Sequence, residues 1–219
     1  MIHICGPRDA APPGALVINT TSRSRDWGQA FSPFKLGPVD LYGDYVAENV
    51  ENAWQYSKVY GEHVDVNSNP TEEYFAWAKA GWESKKADRY PMGKGRKPKY
   101  SYWDGESYPY VEARKKIYIP TYSKAVAHTE AFQRLAELAA TQEVWLWDFD
   151  GYDHEKLGMT IEEVADHHTK KCGHAFVLKM MLTCGGLEEW DHKWWADQDP
   201  EWVTKARKAR DTDWSVNDS

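Results

Sequence analysis

The sequence of 219 residues has three cysteines, no long hydrophobic run and fewer basic than acidic side chains. The three cysteines lack the spacing of a metal site, and such a small number favours free thiols in a reducing compartment. No stretch approaches the roughly 18 apolar residues that span a bilayer. Residues 1–14 lack the charged and apolar regions of a secretory signal. We therefore expect a cytoplasmic protein with no membrane partner.

Lys and Arg number 27 against 34 Asp and Glu, a net charge of -7. This balance argues against a protein that coats nucleic acid with its whole surface, because such binding depends on neutralising phosphates. A local basic groove remains compatible with it. The sequence also lacks a Walker loop, a Gly-x-Gly-x-x-Gly motif and a Gly-x-Ser-x-Gly motif. Its histidines form no His-x-x-x-His pair, so the sequence predicts neither a metal nor a cofactor.

Aromatic residues are abundant, with 12 Trp, 13 Tyr and 6 Phe. Two interpretations stay open. The rings either fill the core and cover the surface, or some of them line a pocket and stack on a flat ligand such as a base.

The hydrophobic pattern predicts an α+β fold, a predominantly helical single domain with a few short strands, over residues 15–210. An irregular arm (1–14) precedes it, a basic and aromatic loop (90–109) is inserted in it, and a disordered tail (211–219) follows. Strands are expected at 15–19, 39–46 and 143–149. Helices are expected from Asn49, from the N-cap Asn69 to about 87, at 111–118, after 120, at 129–140, after Thr160, at 173–184 and near 199.

Glu51, Gln55 and Lys58 are spaced to share one face of the helix that begins at Asn49. They form either a solvated polar face or the polar wall of a pocket. In the second case the carboxylate is a usable general acid, base or nucleophile, because a rigid helix holds it in place.

Three acidic residues, Asp148, Asp150 and Asp153, lie at the end of the apolar strand at 143–149. Functional side chains often lie where a strand ends in a loop, although an Asp-Gly turn accounts for the same residues. The calcium-loop pattern is missing. Arg23 lies in the first polar loop, and its guanidinium suits phosphate.

Four motifs occur in order over residues 17–184: VINTTSRSRDWGQAFSPF, VENAWQYSKVY, DFDGYDH and GHAFVLKMML. In this order they resemble the NADAR family. The family's Phe-Ser-Asn-Phe is similar to Phe31-Ser32-Pro33-Phe34, with Pro in place of Asn, and its Glu-x-x-x-Gln-x-x-Lys matches Glu51, Gln55 and Lys58. Asp150 and Tyr152 match the Asp and Tyr of Asp-x-Tyr-Trp-Gly. The Trp and Gly of that motif fall at Asp153 and His154.

The resemblance implies a NADAR-like fold and hydrolysis of an N-glycosidic bond in a phosphorylated ribosyl or ADP-ribosyl N-glycoside. It implies Glu51 as acid or base, with Asp150 as a second catalytic carboxylate. The expected partners are a small nucleotide or ribosyl substrate and an ADP-ribosylated nucleic acid. Substrate contacts are expected from Arg23, Trp27, Phe31, Trp54, Gln55, Lys58, Asp148 and Tyr152.

Two alternative functions stay open. One is a protein that binds or modifies nucleic acid through residues 90–109, for which a strong salt dependence is expected. The other is a sensor that binds a nucleotide sugar without turning it over.

Overall fold

A computed structural model describes residues 1–183, which contain both helices and strands and so form an α+β fold. These residues belong to two compact units. Unit A consists of Met1–Ser32 and the chain from Val126 onward, and unit B of Pro33–Ala125. The predicted helix near 199 and the predicted tail at 211–219 lie outside the described residues.

The strands are β1 (Ile2–Cys5), β2 (Val17–Asn19), β3 (Val39–Asp40), β4 (Val46–Ala47), β5 (Lys58–Val59), β6 (Tyr100–Trp103), β7 (Glu106–Tyr108) and β8 (Val144–Trp147). The helices are α1 (Val50–Gln55), α2 (Glu72–Trp82), α3 (Tyr110–Ala113), α4 (Ile119–Ala127), α5 (Glu130–Thr141), α6 (Ile161–Asp166) and α7 (His174–Thr183). A π-helical segment, Arg114–Tyr118, joins α3 to α4. Short 3₁₀ turns span Trp27–Phe31 and Gly61–His63.

Unit A contains a three-stranded parallel sheet in the order β1-β8-β2. Its central strand is flanked by Ile4 and Ile18, both buried, as parallel strands usually are. The prediction of an irregular arm over residues 1–14 is wrong for Ile2–Cys5, because these residues pair with β8. The predicted apolar helix at 173–184 is confirmed as α7, which is buried along almost its whole length.

Unit B contains the antiparallel pair β3–β4 and an antiparallel sheet in the order β5-β6-β7. The predicted loop at 90–109 is therefore wrong over 100–108, which form the β6–β7 hairpin. Asp104 and Gly105 take positive φ angles of 47° and 86° at its turn. Asp-Gly favours such a two-residue turn, because its twist matches that of the flanking strands.

Helix boundaries follow the capping side chains. The helix predicted from Asn49 begins at Val50, and Asn49 is its N-cap, with its side chain accepting a hydrogen bond from the Asn52 N–H. The second helix is capped by Thr71 and not by Asn69, and it ends at Trp82 and not near residue 87. The helix predicted after Thr160 is confirmed as α6, and it begins with a capping box formed by Thr160 and Glu163, with both hydrogen bonds present.

Candidate functional site

Helix α1 holds two of the predicted site residues inside unit B and out of solvent. Glu51 is 6% exposed and Gln55 8% exposed. A solvated polar face, the alternative interpretation of this spacing, is therefore wrong for these two side chains. Burial of a carboxylate is costly unless it is hydrogen-bonded, so its surroundings need specific polar partners.

Gln55 links the carboxylate to an ammonium. Its Nε2 donates to Glu51 Oε1 at 2.9 Å, and its Oε1 accepts from Lys58 Nζ at 2.7 Å. Because one end of the amide donates and the other accepts, both contacts together fix its orientation. We call these three side chains the polar row.

Lys58 belongs to β5 and not to α1, which ends at Gln55. Its Nζ lies 4.7 Å from the centre of the Trp54 ring, a cation–π distance. The ring of Trp54 is half-buried and lies 5.4 Å from that of Tyr118, at the end of the π-helical segment. Such segments occur often beside functional sites.

Burial lowers the pKa of Lys58 to about 8, because the charged ammonium loses water. The nearby Glu51 carboxylate opposes this shift, and the positive charge of Arg89 adds to it. Lys58 is therefore a cation at neutral pH that loses its charge in mildly alkaline solution.

Unit A holds the other predicted acidic residues. Asp148 is buried, and its Oδ2 lies 3.2 Å from His174 Nδ1. The other ring nitrogen of His174 lies 2.9 Å from both the hydroxyl and the carbonyl oxygen of Thr20. These contacts tie the end of β8 to the start of α7. The predicted contact of Asp148 with a substrate stays a prediction.

Asp150 and Tyr152 lie on the loop that follows β8. Asp150 Oδ1 accepts a hydrogen bond from Lys171 Nζ at 2.6 Å, and the Tyr152 ring lies 4.9 Å from that of Phe176. Lys170 Nζ lies 5.3 Å from the centre of the Tyr152 ring. Asp150 thus contacts the segment before α7, and Tyr152 contacts both that segment and α7 itself.

The three remaining predicted residues lie in the N-terminal part of unit A. Trp27 and Phe31 are edge-to-face at 5.5 Å in one 3₁₀ turn. The exposed Arg23 has its guanidinium 5.3 Å from the Phe149 ring. Arg134 covers Trp27 at 4.5 Å.

The structure therefore brings Glu51, Trp54, Gln55 and Lys58 together in unit B. It places Arg23, Trp27, Phe31, Asp148, Asp150 and Tyr152 in unit A. Asn52 and Arg89, beside the polar row, were not predicted as site residues. Asn52 carries a visible sign in the sequence, since it is a polar residue between buried neighbours of a helix, but its partners lie more than 30 residues away.

Among residues 1–183, no group of three or more His, Cys, Asp or Glu side chains has an arrangement that suits a metal ion. In the same part of the chain, every helix is too short or too polar to cross a membrane.

Residues 8–158 match the family of unknown function DUF6939, and the chain belongs to that family. The matched segment includes the polar row, Asp148 and Asp150. No curated protein and no solved structure matches the chain.

Proposed function

We propose that the chain is a hydrolase that cleaves an N-glycosidic bond in a phosphorylated ribosyl or ADP-ribosyl N-glycoside, with Glu51 as acid and base. The observation that carries this proposal is the buried Glu51 carboxylate, held at 2.9 Å by Gln55 and followed in the polar row by a cation. A NADAR-like fold is part of the same proposal. It is supported by the order of the four sequence motifs.

The reaction needs a group that transfers a proton at the scissile bond. Cleavage of the C1′–N bond leaves the electron pair on the base nitrogen and a positive charge on C1′ and the ring oxygen of the ribose. Glu51, as the carboxylate, takes a proton from the water that adds to C1′. The acid that results passes this proton to the base nitrogen, which restores the carboxylate.

The neighbouring groups suit the rest of such a substrate. The Lys58 ammonium provides a positive charge for a phosphate oxygen. The ring centres of Tyr110 and Trp54 are 6.5 Å apart. Because the Tyr110 ring is half exposed, it offers a flat surface for a base. Carboxylate, cation and aromatic surface thus occur within one unit.

The first test is a mass-spectrometric screen of ribosyl and ADP-ribosyl N-glycosides for release of the free base. The Glu51→Gln variant keeps an oxygen that can accept the hydrogen bond from Gln55 but cannot transfer a proton. We expect it to fold and to lose at least about 100-fold in kcat, the usual contribution of a general acid or base.

The matched control is Glu48→Gln, which changes an exposed carboxylate of the same unit. It is expected to retain wild-type activity. Equal turnover by Glu51→Gln and wild type, at equal melting temperatures, would remove Glu51 from the mechanism. Binding of a nucleotide sugar by both proteins without release of base would favour the sensor instead.

A further inference from the structure

Residues 85–99, which follow α2 and precede β6, concentrate positive charge on an acidic protein. They include seven basic residues and one acidic residue, so their net charge is +6. The whole chain has a net charge of -7, so all the other residues together carry -13. So uneven a distribution creates a local positive potential that attracts anions. We call residues 85–99 the basic segment.

The lysines of the basic segment are open to solvent and have no acidic partner. All five are exposed, and within residues 1–183 no carboxylate forms an ion pair with them. They are Lys85, Lys86, Lys94, Lys97 and Lys99. Lys79 and Lys179 differ, since each pairs with a carboxylate, as Arg96 of the basic segment does. The charges of the five lysines are therefore available to an anion from outside the protein.

A buried amide fixes the first part of the basic segment to α1. Asn52 Nδ2 donates to the carbonyl oxygens of Ser84 at 2.8 Å and Lys86 at 3.0 Å. Its Oδ1 accepts from the N–H of Asp88 at 2.9 Å. Asn52 is fully buried, so the loss of any of these bonds would leave a polar group without water. The position of residues 84–88 against α1 is therefore defined.

The last part of the basic segment is fixed to β5. The N–H of Lys99 donates to the carbonyl oxygen of Val59 at 2.8 Å, one residue before β6 begins. Between the two ends, the N–H of Gly93 donates to the carbonyl oxygen of Tyr90 at 2.9 Å and closes a turn. A segment held in this way loses little backbone entropy when it binds a partner.

Tyr90 adds an exposed ring among these charges. Its side chain is 48% exposed, and its backbone N–H donates to Asp88 Oδ1 at 3.0 Å. The guanidinium of Arg89 lies 5.9 Å from the centre of the ring, which is within cation–π distance. Proteins bind single-stranded nucleic acids with such surfaces, because bases stack on aromatic rings while phosphates contact the cations.

We propose that the basic segment binds single-stranded nucleic acid, with its lysines on the phosphates and Tyr90 stacked on a base. This interaction goes beyond the proposed function and does not depend on it, since binding needs no cleavage. It assigns to residues 85–99 the contact with nucleic acid that the sequence left open for residues 90–109, of which 100–108 form a hairpin.

The backbone of the basic segment favours a single strand over other polyanions. Residues 85–99 contain neither a helix nor a strand, whereas the major groove of a duplex admits a helix or a two-stranded ribbon. Stable attachment to a membrane surface needs an apolar anchor in addition to charge. Tyr90 is the only exposed aromatic side chain of the basic segment, and one such ring is a weak anchor.

The test is the binding of a fluorescent oligothymidine of about 20 nucleotides to the full-length chain, measured by anisotropy from about 50 to 300 mM NaCl. We expect a Kd on the order of 10 μM at about 100 mM NaCl. For single strands, the logarithm of the binding constant falls with the logarithm of the salt concentration by about 0.7 per phosphate contacted. Five lysines therefore predict a slope of up to about -3.5.

The decisive variant combines Lys94→Gln, Lys97→Gln and Lys99→Gln and so removes three of these charges. We expect its Kd at about 100 mM NaCl to rise 10- to 100-fold and its slope to become shallower by about 2, since three phosphate contacts are lost. The substituted side chains are exposed, so the melting temperature is expected to stay that of wild type.

The matched control changes three exposed lysines outside the basic segment and has the same net charge. It combines Lys35→Gln, Lys116→Gln and Lys156→Gln. We expect it to bind the oligothymidine like wild type. Equal Kd values for the two triple variants would overturn the proposal, because the position of the lysines would then have no effect.

Tyr90→Ala tests stacking separately from charge. Its Kd is expected to rise about 5-fold or more at every salt concentration with an unchanged slope, while Tyr90→Phe keeps the ring and the wild-type Kd. Wild-type binding by Tyr90→Ala would overturn the stacking role of Tyr90. Tighter binding to a duplex of the same length, or to vesicles of phosphatidylserine and phosphatidylcholine at equal salt, would overturn single-stranded nucleic acid as the partner.

Discussion

The charge of Lys58 determines how the site responds to pH. Its pKa is about 8, so the side chain is a cation below that pH and neutral above it. A neutral amine gives up the charge that attracts phosphate. We expect the Kd for ribose 5-phosphate to be lowest near pH 7 and to rise as the pH passes 8, which calorimetry at a series of pH values measures.

Lys58→Arg is the informative variant for this prediction, because a guanidinium stays charged over the whole range. We expect it to bind ribose 5-phosphate with no change around pH 8. Lys79→Arg, at an exposed lysine paired with Glu83, is expected to keep the wild-type profile. A flat profile in wild type between pH 7 and pH 9.5 would contradict a role for the Lys58 charge.

The polar row illustrates how far the sequence predicts a site. The spacing of Glu51 and Gln55 predicted that they share one face of a helix, and they are in contact there, because residues four apart are neighbours on a helix. The same prediction is wrong for Lys58, which contacts Gln55 from β5 and not from the helix. The role of Asn52 depends on backbone groups at residues 84–88, and local periodicity contains no information about so distant a partner.

At the scale of secondary structure, the residue before α7 has no room for a side chain, because its backbone lies close to a carboxylate. A Cβ added to Gly173 would lie 2.3 Å from Asp148 Oδ2, the oxygen nearest to His174. We expect Gly173→Ala to displace this carboxylate and to lower the free energy of unfolding by about 1–3 kcal/mol, as overpacking of a core does. Urea denaturation followed by circular dichroism measures the change.

Gly61→Ala is the control, because a Cβ at that position meets no atom within 4 Å. Its free energy of unfolding is expected to stay within about 0.5 kcal/mol of wild type. Equal stability of the two variants would mean that the Asp148 carboxylate moves aside at little cost. The contact with His174 would then be less important for the fold than its burial implies.

Helices with a capping residue were predictable from the sequence, whereas a strand that pairs with a distant strand was not. Helices α5 and α6 begin within one residue of their predicted starts, since Thr129 and Thr160 each accept from a backbone N–H three residues on. Strand β1 escaped prediction, because Pro and Ala dominate the residues after it and its partner β8 lies about 140 residues away. Parallel strands are always distant in sequence, so no local turn signals them.

At the scale of the whole molecule, the segment that matches the family contains most of the predicted site residues. Residues 8–158 include the polar row of unit B and the carboxylates that follow β8 in unit A. Helix α7 and its His174 lie beyond the match. Functional tests on another member of the family are therefore most informative at the positions that correspond to Glu51, Gln55 and Lys58.

The buried His154 of unit A makes the stability of the whole molecule depend on acidic pH. Burial lowers the pKa of His154, and the ammonium of Lys179, 3.0 Å from its Nε2, lowers it further. The carbonyl of Met159 and the carboxylates of Glu155 and Asp153 oppose the shift without cancelling it. The neutral ring donates from Nδ1 to Met159 and accepts from Lys179.

The sign of the effect follows from linkage. Above about pH 6.5 the imidazole is neutral in the folded and the unfolded chain, and its contribution to stability is fully present. As the pH falls below 6.5, the unfolded chain takes up a proton first, so the free energy of unfolding decreases until the pH passes the lower pKa of the folded protein.

We expect a steeper loss of stability from pH 7.5 to 5.5 in wild type than in His154→Gln. Gln does not titrate in this range, and urea titrations at each pH measure the slope. The exposed His128, changed to Gln, is the control and is expected to keep the wild-type slope. A wild-type slope in His154→Gln as well would assign the acid sensitivity to another group.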